Sequence, residues 1–302
     1  MTVPRPYSDE ELEALLANTE SDLAERKETW RGDAPDAARQ AVCAFANEPY
    51  DLHLVRSATL ADLSRARFED DYLPGAFAKD ILDANKRDYE ERLAACRMIL
   101  SADEPVPTVV GLLALARDPR FHLPCAYVQF LRIAGTRHSD PITDEARCEG
   151  PLASMMNEVY IRLQAHNRTS VQITGTRLEV RRSLYPNAAL EQYVRNAVMH
   201  RVYESTNAPC QVYWFDDRVE ITSPGGPYGA VTCENFGKKG LYDSRNPHLA
   251  DAMKVLKLVQ RFGVGLDIAR LALEENASPP AEFDLSPNHV RVIIRPRDMS
   301  RP

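Results

Sequence analysis

The chain has 302 residues, 44% of them hydrophobic, and a formal net charge of −7, so it is long enough for two or three domains with real cores. The acidic balance argues against binding nucleic acid by bulk electrostatics alone, although a local basic patch is compatible with it. The longest apolar run, residues 109–116, is too short to span a bilayer, and the first residues lack a signal-peptide core. Six cysteines without CxxC spacing fit reduced structural thiols. We therefore expect a cytoplasmic protein without membrane segments.

The first 48 residues predict helices, one beginning after Ser8 and another over residues 37–47. The segments ESDLAERKETW and AVCAFAN resemble the opening of the Alba-type, Schlafen-like DNA-binding domain. In that family the second segment runs into a glycine-rich turn and a strand, whereas here EPYD follows at once. The resemblance therefore implies a helical remnant of the domain over residues 1–48, and DNA binding is not carried over.

Residues 49–184 predict a connecting α+β module. Helices are expected over residues 62–72, 77–100 and 150–167, and a strand with one buried face over residues 125–134. His122, His138 and His166 stand apart from one another in the sequence, which favours surface or core roles over metal binding. Nothing in this stretch calls for catalysis.

The stretch from residue 188 to residue 226 carries the strongest signals. Apolar residues recur at helical spacing, and Gln192, Asn196 and His200 follow one another at i, i+4 and i+8, so they share one stripe. Asparagine is a poor helix former, so Asn196 needs a partner, either a neighbouring backbone group or a bound ligand. A β-hairpin follows over residues 210–223, and it ends at Gly225 and Gly226, which permit positive φ and close approach of a ligand.

Two further glycine-bearing segments follow the hairpin. Residues 231–242 place Gly237 and Gly240 around Lys238 and Lys239, which predicts either a basic loop over phosphates or a solvated loop. A helix is expected to begin at Pro247, to be capped by Asn246 and to end near residue 262. Gly263 and Gly265 then lead into a helix over residues 266–275, whose N-terminus suits phosphate. A strand at 290–294 closes the pattern.

Four of these pieces resemble the C-terminal ATPase-like module named after the RecG helicase, a relative of the nucleotide-binding fold of histidine kinases, gyrase and Hsp90 (GHKL). They are YPNAALEQYVRNAVMHRVY, FDDRVEITSPGG, RNPHLADAMKVLKLVQRFGVGLDIAR and HVRVIIRPR, in the right order. The resemblance implies an α+β chain with a two-layer α/β sandwich over residues 185–302, ATP and Mg²⁺ as ligands, and Asn196 as the Mg²⁺ ligand. It also implies nucleotide contacts from Asn196, His200, Gly225, Gly226, Lys239, Gly263 and Gly265.

Departures from the family limit the activity. Gln192 stands where relatives that hydrolyse ATP carry the activating Glu, and an amide cannot serve as a general base, so no catalytic residue is predicted. Glu191 is expected to point away and to pair with Arg195 at i+4. Ser223 stands where the wider family has the Asp that reads adenine. We therefore expect at most a weak ATPase.

Three functions follow as hypotheses. The first is an ATP-binding regulatory module in a transcriptional-regulator-like protein, acting on a protein partner or a second copy of the chain. The second is an interaction scaffold without nucleotide, and the third is a DNA-binding transcriptional regulator, which the acidic balance disfavours. A helicase is excluded because the sequence has no GxxxxGK[ST] phosphate loop.

Overall fold

The computed structural model describes residues 53–84, 86–173, 179–238, 240–259 and 263–298, with the backbone alone between residues 170 and 182. The chain divides into two units, Met1–Asp51 and Leu52–Pro302, and every described residue belongs to the second. The helices and the Schlafen-like remnant predicted for residues 1–48 lie outside the described residues.

Six strands form one mixed sheet in the order β2-β1-β5-β6-β8-β7. Strand β1 pairs with β5 in parallel, and the other neighbouring strands pair antiparallel. Strands β3 and β4 form a separate antiparallel hairpin. The strands are β1 (Val128–Ile133), β2 (Ile142–Cys148), β3 (Thr169–Ile173), β4 (Glu179–Ser183), β5 (Cys210–Trp214), β6 (Val219–Pro224), β7 (Glu282–Ser286) and β8 (His289–Ile294).

Helices cover one face of this sheet, with α5 against β1 and β2, and α6 against β5, β6 and α8. The α-helices are α1 (Leu73–Ala76), α2 (Lys79–Ala84), α3 (Tyr89–Ala95), α4 (Val109–Leu115), α5 (Leu152–His166), α6 (Asn187–Met199), α7 (Pro247–Val255) and α8 (Gly265–Glu275). This is the α+β class with a two-layer α/β sandwich that the sequence predicts, so the predicted fold class is confirmed.

One row of apolar side chains crosses four strands beneath the helices. Phe130 is in register with Val212, Val212 with Ile221, and Ile221 with Val292, and all four side chains are buried. From the other layer, α6 buries the apolar positions that its helical spacing predicts, such as Leu190. Each of these large side chains stabilises the fold by roughly 1.5–3 kcal/mol relative to an exposed one.

The single sheet contains strands from both sides of residue 185. Residues Val128 to Arg132 of β1 pair with Cys210 to Trp214 of β5. The division into modules at residues 49–184 and 185–302 stays a prediction, and the sheet extends across it.

The predicted long helices of the middle region are wrong in part. Residues 77–100 hold two short helices, α2 and α3, because Asp88 starts α3 anew by accepting a hydrogen bond from the Glu91 N–H at 2.8 Å. Residues 62–72 hold a π-helical turn (Arg67–Tyr72) after a 3₁₀ turn (Leu60–Asp62). Helix α7 ends at Val255, earlier than expected, and Lys257 then adopts a φ of 60°.

Candidate functional site

A cavity of about 160 Å³ lies between α6, the start of α8, the turn after β6 and the loop of residues 227–243, here called the covering loop. Lys238 of that loop lines the cavity, whereas Lys239 lies outside the described residues. The role of Lys239 as a nucleotide ligand stays a prediction. The predicted site residues that line this cavity are Asn196, His200, Gly225, Gly226, Gly263 and Gly265.

Helix α6 presents Gln192 and Asn196 to this cavity, followed on the same stripe by its C-cap residue His200, and the opposite side of the helix is packed into the core. The side-chain amides of Gln192 and Asn196 form no hydrogen bond with any described residue. The sequence allows two partners for Asn196, a neighbouring backbone group or a bound ligand. Within the described chain, the Asn196 side-chain amide has no hydrogen bond to backbone, so the first partner is not seen. Both amides are available to a ligand.

The start of α8 faces these two amides at close range. A Cβ atom placed on Gly265 would lie 3.2 Å from Gln192 Oε1 and 3.5 Å from Asn196 Oδ1. At the N-cap residue Val264, no side chain of the described chain caps the helix. The first N–H groups of a helix have no partner within the helix, and its dipole is positive there. The helix start and the two amides can therefore donate hydrogen bonds to an anion that binds beside them.

The N–H groups of the turn after β6 form hydrogen bonds within the protein. Gly225 N–H donates to Asn288 O at 2.8 Å, and Gly226 N–H donates to Pro287 O at 3.0 Å. A Cβ atom on Gly226 would lie 2.3 Å from Ser286 O. Gly226 therefore lets this turn lie against the turn between β7 and β8, and its N–H is not free for a ligand.

His200 is neutral at pH 7. Burial of the ring, together with the nearby Arg245 cation, lowers its pKa to about 4, although Asp243 acts in the opposite direction. A neutral imidazole can donate one hydrogen bond into the cavity and accept another, but it adds no charge there. His200 is therefore suited to hydrogen bonding with a ligand and unsuited to neutralising phosphate.

Two polar side chains near the cavity donate hydrogen bonds to backbone carbonyl oxygens in α6 and just after its end. Ser223 Oγ donates to Ala197 O at 2.7 Å. Asn246 Nδ2 donates to Met199 O at 2.8 Å and to Arg201 O at 2.7 Å. Asn246 does stand at the N-cap position of α7, as expected, but its side chain makes no capping bond to that helix. The predicted capping role is corrected: the Asn246 amide satisfies carbonyl groups at the end of α6.

Two arginines that contact residues lining the cavity went unnoticed in the sequence. Arg245 Nη2 donates to Gly226 O at 3.0 Å, and its guanidinium lies 4.8 Å from the centre of the Tyr228 ring. Arg270 donates to Gly237 O and pairs with Asp267 at 3.2 Å, so it holds the covering loop on α8. The available signal was position: Arg245 directly precedes the Asn-Pro start of α7, and Arg270 lies in the second turn of α8.

Glu191 and Arg195 form the predicted i, i+4 ion pair at 2.8 Å. Arg195 also donates through Nε to Tyr160 OH at 2.8 Å. Glu191 is thereby held at Arg195 and does not line the cavity, although Arg195 does. The carboxylate next to Gln192 in the sequence is not positioned to act in its place.

The isolated histidines have partners of their own. His122 lies 3.4 Å from Asp62, His138 lies 3.6 Å from Glu220, and His166 lies 2.8 Å from Asp144. Within the described ranges, no group of three or more His, Cys, Asp or Glu side chains could hold a metal ion. Burial raises the pKa of the Cys148 thiol to about 12, as expected for an unreactive structural cysteine.

The chain forms an α/β sandwich with a cavity beside its helices, and one part of it matches a known family model. Residues 207–294 match the family model described as "Putative ATP-dependent DNA helicase recG C-terminal". That match suggests nucleotide binding. It covers the hairpin, α7 and α8, whereas Asn196 and His200 precede it. A search of curated proteins found no match.

Among solved structures with a similar fold is the crystal structure of the DIP2311 protein from Corynebacterium diphtheriae. The likeness has a TM-score of 0.60 at 22% identity, and covers 87% of this chain and 51% of that chain. The chain therefore spans about half the length of that structure, and the likeness shows the fold alone. No helix among the described residues is both long and apolar enough to cross a membrane.

Proposed function

We propose that the chain binds ATP with Mg²⁺ in this cavity and acts as a regulatory module of a transcriptional-regulator-like protein, with weak or no hydrolysis. The observation that supports this most is the pair of amides on α6, Gln192 and Asn196, which lack partners in the described chain and face the uncapped start of α8 at Gly265. The N–H groups of a helix N-terminus and of side-chain amides both donate hydrogen bonds to phosphate oxygens.

The residues present fit this ligand. The Asn196 oxygen is a hard ligand of the kind Mg²⁺ prefers, and Mg²⁺ takes its other ligands from phosphates and water. The N–H groups at the start of α8 suit a phosphate group, and Lys238 of the covering loop adds a positive charge at the cavity. His200, as a neutral ring, offers a hydrogen bond to the nucleotide.

The covering loop must move for a nucleotide to enter. The cavity holds about 160 Å³, whereas ligand pockets usually measure roughly 300–1,000 Å³. The hydrogen bond from Arg270 to Gly237 O holds the loop on α8, and Tyr242 lies 3.8 Å from the position of a Cβ atom added to Gly263. In the proposal, nucleotide binding replaces these contacts and changes the surface that the loop shows to a partner.

Weak hydrolysis follows from Gln192. A carboxylate at this position would accept a proton from the attacking water, whereas an amide cannot. Glu191 is occupied by Arg195 at 2.8 Å and does not line the cavity. The module is therefore proposed to respond to nucleotide binding rather than to turnover.

Calorimetric titration of the full chain with ATP and Mg²⁺ tests the proposal. We expect saturable binding to the wild type, and binding at least roughly tenfold weaker in Asn196→Ala, since an Mg²⁺ ligand is lost. Asn207→Ala is the matched control, because Asn207 is an exposed asparagine outside the cavity, and it should bind like the wild type. A flat titration of the wild type contradicts the proposal.

A second candidate is an interaction scaffold that uses no nucleotide. It is favoured by the turn at Gly225 and Gly226, whose N–H groups are bonded to the turn after β7, and by Gln192. The scaffold predicts that Asn196→Ala leaves self-association or partner binding unchanged. Sedimentation of the wild type and Asn196→Ala, with and without Mg-ATP, separates the two candidates because only the regulatory module responds to the nucleotide.

A further inference from the structure

A second cavity, of about 510 Å³, adjoins the turn that contains Gly225, a residue that lines both cavities. We call it the basic groove. Arg245 and Arg291 contribute its permanent positive charges. Apart from Gly225, it contains none of the predicted nucleotide-binding residues. Its lining consists of Val202, Ser205, Thr206, Ala208, Pro209, Gln211, Thr222, Pro224, Gly225, Arg245, Pro287, Asn288, His289 and Arg291.

The charges of the groove are unlike those of the chain. The chain has a net charge of −7, yet no Asp or Glu is among the described residues that line the groove. One carboxylate lies close by: half-exposed Asp284 is 3.6 Å from Arg291 Nη1 and 3.3 Å from His289 Nε2. Asp284 balances one positive charge at most, so the groove keeps an excess of positive charge.

Asp284 does not pair with Arg245. Within the described residues Arg245 forms no ion pair, and its contacts are the Gly226 carbonyl oxygen and the Tyr228 ring. Its Nε atom is buried and has no hydrogen-bond partner in the described chain. No carboxylate of the described chain pairs with this guanidinium, and a phosphate or carboxylate is the group that pairs with it most strongly.

We propose that the basic groove is a second ligand site, which binds a small organic anion through a phosphate or carboxylate group paired with Arg245 and Arg291. Arginine presents its N–H groups as a planar fork that matches either oxyanion. Hydroxyl and amide groups around the fork, including those of Thr222, Gln211 and Asn288, provide hydrogen bonds for the rest of the ligand. The groove is as large as ordinary small-molecule sites. This site does not depend on nucleotide binding in the first cavity.

Calorimetric titration of the full chain with inorganic phosphate and, separately, with malonate at constant ionic strength tests the proposal and distinguishes the two oxyanions. Arg291→Gln is the test variant, because Arg291 lies in the groove and outside the first cavity. Arg295→Gln is its matched control: Arg295 is a cation four residues further along the chain, pairs with Glu282 at 2.8 Å and does not line the groove. Thermal melting of each variant checks that it is folded.

We expect saturable binding of at least one anion, roughly tenfold or more weaker in Arg291→Gln and unchanged within about twofold in Arg295→Gln. Asn196→Ala should also keep the affinity, because Asn196 lies in the first cavity. The absence of saturable binding of both anions overturns the proposal. Equal weakening by Arg291→Gln and Arg295→Gln overturns it too, since that would be a general charge effect. Loss of binding in Asn196→Ala alone would place the anion in the first cavity and likewise overturn it.

Discussion

The first cavity has two walls that both carry glycines, and the two walls differ in what those glycines contact. On the wall formed by α6 and α8, the Cβ position of Gly265 lies 3.2 Å from Gln192 Oε1 and 3.5 Å from Asn196 Oδ1. On the wall formed by the turn after β6, the Cβ position of Gly226 lies 2.3 Å from the carbonyl oxygen of Ser286. The first glycine borders space beside flexible side chains, and the second borders backbone.

The difference separates two reasons for a glycine that look the same in a sequence. Close approach of backbone to a ligand and close approach of two turns both exclude a Cβ atom. At Gly226 the second reason holds, because its N–H donates to Pro287 O at 3.0 Å. At Gly265 the helix start stays uncapped by any described side chain. We therefore expect changes on the turn wall to affect stability, and changes on the helix wall to affect binding.

The largest expected effect is on the turn wall. Gly226→Ala should lower the free energy of unfolding by about 3 kcal/mol, since one of the two turns must shift to admit the methyl group. The corresponding fall in melting temperature is roughly 10 °C for a unit of this size. Thermal melting followed by circular dichroism measures it.

Gly240→Ala provides the matched control for this substitution. Gly240 has a φ of 80°, and its Cβ position has nothing within 4 Å, so the variant should lose only about 1 kcal/mol through backbone strain. If Gly226→Ala proves as stable as the wild type, the turn wall does not depend on close packing and the comparison fails.

The next effect concerns His200, which lies on the helix wall. Its pKa in the folded chain is about 4, against an ordinary value of 6.5, so the unfolded chain binds more protons between these values. Stability from this residue is fully present above pH 6.5 and is lost as the pH falls to 4, by about 3 kcal/mol. His200→Gln should remove this part of the pH dependence, as denaturant unfolding at pH 7 and pH 4.5 can measure.

Other acid-sensitive groups do not obscure the His200 result. Hydrogen bonds and ion pairs hold the pKa values of Asp62, Asp140 and Asp144 below their usual range, and these carboxylates are the same in both proteins. They cancel when the wild type and His200→Gln are compared. An identical loss of stability in both proteins between pH 7 and pH 4.5 would show that His200 is not held neutral by its surroundings.

Local signals made the helix wall predictable from the sequence. The 3.6-residue spacing of apolar residues predicts α6, and the positions of Gln192, Asn196 and His200 on one stripe follow from it. The glycines at 263 and 265 mark the start of α8. Each of these features depends on residues that are close together in the chain, so periodicity and glycine position are sufficient to find them.

The turn wall depends on contacts that are distant in the sequence. Gly226 is hydrogen-bonded to Pro287, some sixty residues later. Strand β7, which brings that turn into place, consists of exposed and partly buried residues without clear alternation. Strand β2 is mostly exposed and carries little apolar signal. The parallel pairing of β1 with β5 likewise joins Val128 to Cys210. No local pattern encodes these pairings, and the position of Arg245 at the Gly226 carbonyl depends on them.

Gln192→Glu tests the binding role of the helix wall through a gain of activity. If Mg-ATP binds there, a carboxylate at residue 192 supplies the missing general base, and ATP turnover should rise roughly a hundredfold. Phosphate release measured with the wild type and the variant tests this. Glu191→Gln is the control, since Glu191 pairs with Arg195 and its loss should leave turnover unchanged. A variant that binds Mg-ATP and still fails to hydrolyse it would show that residue 192 is not the position for the base.

The smallest effect is expected for Gly265→Ala, and it is the change that separates the two walls most directly. Its methyl group would lie 3.2 Å from Gln192 Oε1, the end of a flexible side chain that can turn aside. The free energy of unfolding should therefore change by less than about 1 kcal/mol. The methyl group projects into the space beside Asn196, so the affinity for Mg-ATP should fall roughly tenfold, or about 1.4 kcal/mol. Calorimetry and melting on the same sample give both values. A loss of stability equal to that of Gly226→Ala, with the affinity unchanged, would show that the helix wall is packed as the turn wall is.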